Sequence, residues 1–233
     1  MTRVNMTRVK ICGLQSPEDA LACVAAGADA IGMLVDVKIS PRCISAARAR
    51  TIVACLPPLV TGVMVMMPSS ADEVAEAGRL VRPGAIQLHG EEPPELLRQI
   101  KSRLPWARLI KTVHVGAGGE IENAKAYEGC ADAILLDTLS PSYGGTGKTH
   151  DWATSAEIIK ALDMPVLLAG GLSPSNVAEA VSKTGPFAVD ASSGVENGNR
   201  RKDPQKVREF IARAKGVNTR DAMGTMDTMD AKT

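Results

Sequence analysis

Eight short apolar runs, each answered by a helical segment within a chain of 233 residues, predict an α/β fold. Its parallel strands would close into a single-domain (β/α)₈ TIM barrel. The runs are continuously apolar rather than alternating, as expected of strands covered on both faces. Eight strand–helix units is the number that closes a barrel, and the length suits a compact one. An open doubly wound sheet is the competing arrangement, because one miscounted unit would spoil closure.

The elements follow in order. Run 9–12 leads into Ser16-Pro17-Glu18-Asp19, which reads as a helix start: Ser at the N-cap, Pro at the first position, acids in the first turn. That helix extends to Ala26 and stops at Gly27. Strand 30–35 precedes helix 45–55, strand 60–66 precedes helix 71–81, and strand 85–88 precedes helix 94–103. Strand 109–113 is followed by a short helix, 120–127, and strand 133–137 by helix 152–162. Strand 166–169 with helix 174–182, and strand 188–191 with helix 204–215, complete the count. Residues 1–8 read as an N-terminal extension, since 1–5 (MTRVN) are nearly repeated by 6–10 (MTRVK), the pattern of an alternative start. Residues 9–215 form the predicted barrel. Residues 216–233 are polar, repeat TMD, and read as a flexible tail.

Composition narrows the function. Lys+Arg number 27 and Asp+Glu 26, a net charge of +1, which argues against a protein built to neutralise a nucleic-acid backbone. Aromatics at 3% leave few rings on which bases could stack. Five cysteines without a C-x-x-C pair suggest neither a disulfide framework nor a zinc cage, and the three histidines lack metal spacing. No apolar run is long enough to span a bilayer. The expectation is a cytoplasmic protein, monomer or homodimer, with a small-molecule partner and no nucleic acid or membrane.

In such barrels chemistry sits at the C-terminal ends of the strands. There the sequence places Cys12-Gly13, Ser40-Pro41-Arg42, His89-Gly90, Asp137, a glycine-rich stretch 144–147, Gly170-Gly171 and Ser192-Ser193-Gly194. Segment 142–149 (SYGGTGKT) fails as a phosphate-binding P-loop because Ser142 stands where the first glycine belongs and no helix opens directly after it. Glycines after the seventh and eighth strands suit phosphate bound through uncovered backbone N–H groups, although tight turns alone would also use them. Cys12 shares a strand face with Lys10, which would favour its thiolate and make it a usable base. Asp137 ends an apolar strand and either caps the next loop or, with a raised pKa, donates a proton. Arg42 is either a solvated charge or a fork for a substrate carboxylate.

Taken in order, Lys10-Ile-Cys-Gly13, Ser40-Pro-Arg42, Gln87-Leu-His-Gly90, Leu136-Asp137, Gly144-Gly-Thr-Gly-Lys-Thr149 with Asp151-Trp152, Ala169-Gly-Gly-Leu172 and Asp190-Ala-Ser-Ser-Gly-Val-Glu196 resemble the phosphoribosylanthranilate isomerases of tryptophan biosynthesis. The resemblance implies an Amadori rearrangement without metal or cofactor. It makes Asp137 the general acid that opens the sugar ring and Cys12 the general base that removes the C2 proton. It gives Arg42 the substrate carboxylate and, among the binding residues, adds His89, Gly145, Gly170, Gly171, Ser192, Ser193 and Gly194. The chain departs from the family where aromatics are common: Gly32-Met33-Leu34-Val35, Val63-Met64-Val65-Met66, and His150 ahead of Asp151-Trp152. Methionine and aliphatics would then line the anthranilate ring. Two rivals remain at this point: the related Amadori isomerase of histidine biosynthesis, which resembles a two-aspartate design, or a dual-substrate barrel, and a non-catalytic phosphate-ligand-binding barrel.

Overall fold

The computed structural model describes residues 6–138 and 149–216. Eight strands alternate with helices: β1 (Arg8–Ile11), β2 (Ala30–Val35), β3 (Thr61–Met66), β4 (Ala85–Leu88), β5 (Arg108–Val115), β6 (Ala133–Thr138), β7 (Val166–Leu168) and β8 (Ala188–Ala191). Between and after them lie α1 (Pro17–Ala25), α2 (Ala46–Cys55), α3 (Ala71–Val81), α4 (Pro94–Arg103), α5 (Glu120–Lys125), α6 (Trp152–Ala161), α7 (Val177–Thr184) and α8 (Pro204–Ala214). Each strand pairs in parallel with its neighbour, and β1 pairs with both β8 and β2. The sheet therefore closes, and the open alternative is eliminated.

The register sets the barrel's shape. Following Cα partners from Ala30 around the sheet, the path advances two residues from Thr61 to Val63, from Arg108 to Ile110, from Ala133 to Leu135 and from Arg8 to Lys10. One circuit thus slips by about eight residues, the shear of this barrel type. The two strand faces feed separate cores. Outward-facing Val9, Ile11, Met33, Met64, Met66 and Leu88 are buried against the helices. Inward-facing Val63, Val65, Ile110, Leu135 and Leu167 fill the barrel, together with a set of alanines from the even strands, Ala85, Ala133 and Ala188, with Ala30 packed alongside.

Helix starts obey local chemistry. Ser16, Ser45 and Ser70 each accept a hydrogen bond from the backbone N–H three residues on, while Asp151 caps α6 through Ala153 N and Asp203 caps α8 through Gln205 N and Lys206 N. Each such cap is worth about 1 kcal/mol. α7 begins at Val177, later than the expected 174, because Asn176 turns its side chain back to Ser173 N and Gly171 O. A two-residue strand, Cys43–Ile44, pairs with Leu34 and Val35, where the sequence pattern suggested only a loop. β1 starts at Arg8, whose partner is Ala188, so the sheet reaches one residue further than the expected boundary. Segments 1–5 and 217–233 lie outside the described residues. Among the described residues, no helix is long and apolar enough to cross a membrane.

Candidate active site

β1 delivers Lys10 and Cys12 to the inside of the barrel, two residues apart on one face. Both are buried, and Lys10 Nζ lies 2.7 Å from Asp190 Oδ2, on the adjacent strand β8. β2 makes room for them: a Cβ at Gly32 would stand 2.7 Å from Cys12 Sγ and 3.0 Å from Lys10 Cε. Burial pushes the Cys12 thiol up; Lys10 pulls it down, Asp190 opposes Lys10, and Lys202 adds a smaller pull. The expected net lowering by Lys10 is therefore corrected. The ammonium is already committed to Asp190, and desolvation of the thiolate outweighs it.

Asp137, near the end of β6, keeps only 13% of its side chain exposed, and this desolvation raises its carboxyl to about 6, against a hydrogen bond from Thr138 N to Oδ1 that favours the anion. Asp190 raises it further and Lys10 lowers it. Gly170 packs directly against it, since a Cβ there would stand 2.2 Å from Thr138 Oγ1 and 3.1 Å from Asp137 Oδ1. His89 Nε2 is 3.7 Å from Asp137 Oδ2, and His89 Nδ1 meets Gln87 Nε2 at 3.2 Å and Thr112 Oγ1 at 3.1 Å. The loop that carries His89 is anchored from outside the barrel: Lys111 Nζ, buried on the outer face of β5, donates to Gly90 O and pairs with Glu92.

Arg42 is not a solvated charge. Its guanidinium donates Nε to Glu196 Oε1 at 2.7 Å and Nη2 to Glu196 Oε2 at 2.6 Å. Glu196 Oε1 also accepts from Lys202 Nζ at 2.6 Å, and both partners hold its carboxyl below the usual range despite burial. This edge of the fork is occupied, and Nη1 has no partner among the described residues. A Cβ on Gly13 would stand 2.7 Å from Arg42 Cδ and 2.9 Å from Ser192 Oγ, so the strand-one turn touches both. Ser193 and Gly194 enter a 3₁₀ turn, Ser193–Val195, directly after Ser192. A Cβ at Gly194 would fall 2.0 Å from Leu172 O, which brings the seventh and eighth loops together. Gly170 and Gly171 both have positive φ, +83° and +65°, as a backbone turning its N–H groups aside requires. Gly145 lies outside the described residues.

Sequence reasoning missed Asp190, Glu196 and Lys202 as members of the site. Asp190 and Glu196 stood in the motif quoted above, but their partners lie 180 and 154 residues away. The methionines singled out near the ring position are corrected as well. Met33, Met64 and Met66 point into the helix-facing core, while Leu34 and Val65 take the inward positions. A cavity of about 930 Å³ opens at the opposite end, beside Arg8, Phe187 and Lys215, and none of the strand-end groups lines it.

Fold and site together define a (β/α)₈-barrel protein with a buried thiol and a raised carboxyl at its catalytic end. The sequence profile of the N-(5'-phosphoribosyl)anthranilate (PRA) isomerase family matches residues 9–213. The N-(5'-phosphoribosyl)anthranilate isomerase of Methanocella arvoryzae is 63% identical over 206 residues, 88% of this chain and 97% of that protein. That of Natronomonas pharaonis is 44% identical, covering 91% and 99%. The crystal structure of phosphoribosyl anthranilate isomerase from Thermotoga maritima superposes with a TM-score of 0.83 at 43% identity, covering 91% of this chain and all of that one. Another phosphoribosyl anthranilate isomerase structure, in complex with reduced 1-(o-carboxyphenylamino)-1-deoxyribulose 5-phosphate, superposes at 0.79 with 40% identity and the same coverage. The chain belongs to the phosphoribosylanthranilate isomerase family.

Proposed function

We propose that this chain converts N-(5-phosphoribosyl)anthranilate into 1-(2-carboxyphenylamino)-1-deoxyribulose 5-phosphate in tryptophan biosynthesis, with Asp137 as general acid and Cys12 as general base. The observation that carries the assignment is the placement, in a chain of this family, of a raised carboxyl and a thiol at the mouth of one barrel. A carboxyl raised to about 6 stays partly protonated near neutral pH, as a general acid at the ring oxygen must.

Asp137 gives its proton to the furanose oxygen as the C1–O bond breaks, and the nitrogen lone pair forms the Schiff base. Cys12 thiolate then takes the C2 proton, and the released electron pair moves into the enolamine. Tautomerisation to the C2 ketone places a proton on C1. Arg42 holds the anthranilate carboxylate through the guanidinium edge that Glu196 leaves open. The backbone of Gly170-Gly171 and Ser192-Ser193-Gly194 receives the phosphate, with Gly145 and His89 completing the binding set. Leu34 and Val65 take the ring-side positions in place of aromatics. Five unpaired cysteines support a reducing cytoplasm, with the enzyme acting as a monomer or homodimer in a barrel spanning residues 9–215.

The test is rescue of a tryptophan-requiring host that lacks this isomerase. The wild-type chain is expected to restore growth and Cys12→Ala to lose about 10²–10⁴ in turnover while folding normally. A soluble wild-type chain that fails to rescue counts against the function. Full turnover by Cys12→Ala counts against the base assignment.

A further inference from the structure

Beneath the two reacting groups lies a pair of opposite charges to which the reaction assigns no proton. Lys10 and Asp190 are Cα partners on β1 and β8, their side chains meet at 2.7 Å, and their side-chain exposures are only 1% and 9%. Asp190 Oδ1 is buried without a hydrogen-bond partner among the described residues, so Lys10 supplies the carboxylate's hydrogen bond. Lys10 also lies against Cys12, with β2 contributing no side chain between them at Gly32. We infer that Lys10 and Asp190 are positioning residues forming one neutral couple, which lets a proton-accepting thiol and a proton-donating carboxyl share a single barrel floor.

The physical problem is that the two duties pull in opposite directions. A lone buried cation at this level would favour thiolate at Cys12, improving the base, and would equally favour carboxylate at Asp137, spoiling the acid. A lone anion would do the reverse. A tight couple presents almost no net charge to either group, so burial keeps the carboxyl protonatable while the thiol keeps its basicity. Both groups do feel both members of the couple, with opposite signs: Lys10 lowers and Asp190 raises each of them. The other charges facing Cys12 are Lys202 and Arg42, and Glu196 bridges those two. His89 faces Asp137 from β4.

The inference rests on the acid and base roles proposed above, and its test reads the thiol without turnover. The rate of Cys12 alkylation by iodoacetamide, followed by peptide mass spectrometry across pH, gives the ionisation midpoint of that one cysteine. Asp190→Asn keeps the shape and leaves Lys10 uncompensated. The midpoint is expected to fall by about one pH unit or more. Lys10→Met is expected to raise it by a similar amount, and the double variant to return it close to wild type. The acidic and basic limbs of the kcat/KM profile should move together in the same directions. A midpoint that stays put or rises in Asp190→Asn overturns the inference, and so does a double variant that fails to compensate. If Lys10→Met does not fold, Asp190→Asn decides alone. An inactive wild-type protein overturns the proposed function instead, since the alkylation midpoints do not depend on turnover.

Discussion

Replacing Asp137 by asparagine should make the protein more stable and less active at once. Burial raises this carboxyl from an ordinary value of 3.8 to about 6. A rise of that size corresponds to about 3 kcal/mol at roughly 1.4 kcal/mol per pH unit. The sign is fixed by which state holds the proton. Below pH 4 both folded and unfolded chains are protonated at this position and nothing is lost. Between about 4 and 6 the unfolded chain ionises first, and native stability declines. Above about 6 the folded chain must carry the buried anion, and the full penalty applies. An amide never ionises and can still accept the hydrogen bond from Thr138 N. Asp137→Asn should therefore match wild type near pH 4, gain roughly half the difference at pH 5, and stand up to about 3 kcal/mol ahead at pH 8. Urea titrations at those three pH values measure the gap, and turnover should fall by about 10²–10⁴ in the same variant. A variant less stable than wild type at pH 8, or a gap that does not widen with pH, refutes the account of a carboxyl raised by desolvation.

Two further changes probe the binding groups. Glu196→Gln removes the anion shared by Arg42 and Lys202 and leaves a buried and a partly buried cation together; stripping one partner from a buried network typically costs about 3–5 kcal/mol, an upper bound here. Denaturant unfolding should show that loss, and KM should rise as Arg42 loses its alignment; an unchanged KM would separate Arg42 from the carboxylate site. Gly194→Ala drives a Cβ to 2.0 Å from Leu172 O, so the seventh and eighth loops must part. A stability loss of about 1–3 kcal/mol, with weakened competition by inorganic phosphate, is expected, and wild-type values in both would remove Gly194 from the phosphate cradle.

What the sequence made legible is what short spacings control. Ser16 with Pro17 announced its helix because a cap acts over three residues. Cys12 and Asp137 stood out because a polar group ending an apolar strand has few other uses. The charge partnerships were illegible for the opposite reason. Lys10 with Asp190 and Arg42 with Glu196 are joined only by closure of the sheet, and no local pattern records it. Burial also decided the thiol, because desolvation outweighs the pull of Lys10, which Asp190 further opposes. Inside and outside were confused at the methionines, since a strand with two covered faces gives no alternation to read. His150 meets Thr138 Oγ1 at 3.0 Å and Ser155 Oγ at 2.6 Å, a polar clasp between β6 and α6 that the position ahead of Asp151-Trp152 did not announce.

The small side chains on the even strands have a mechanical consequence. Ala30, Ala85, Ala133 and Ala188 line a cavity of about 490 Å³ that reaches the foot of Lys10 and opens away from the reacting groups. The hollow is open to solvent, so filling it displaces water rather than closing an internal void. The hollow also gives Lys10 its lower wall. Larger residues introduced there would press on the ammonium from below, so a barrel filled at its foot would carry the change upward to the thiol at its mouth.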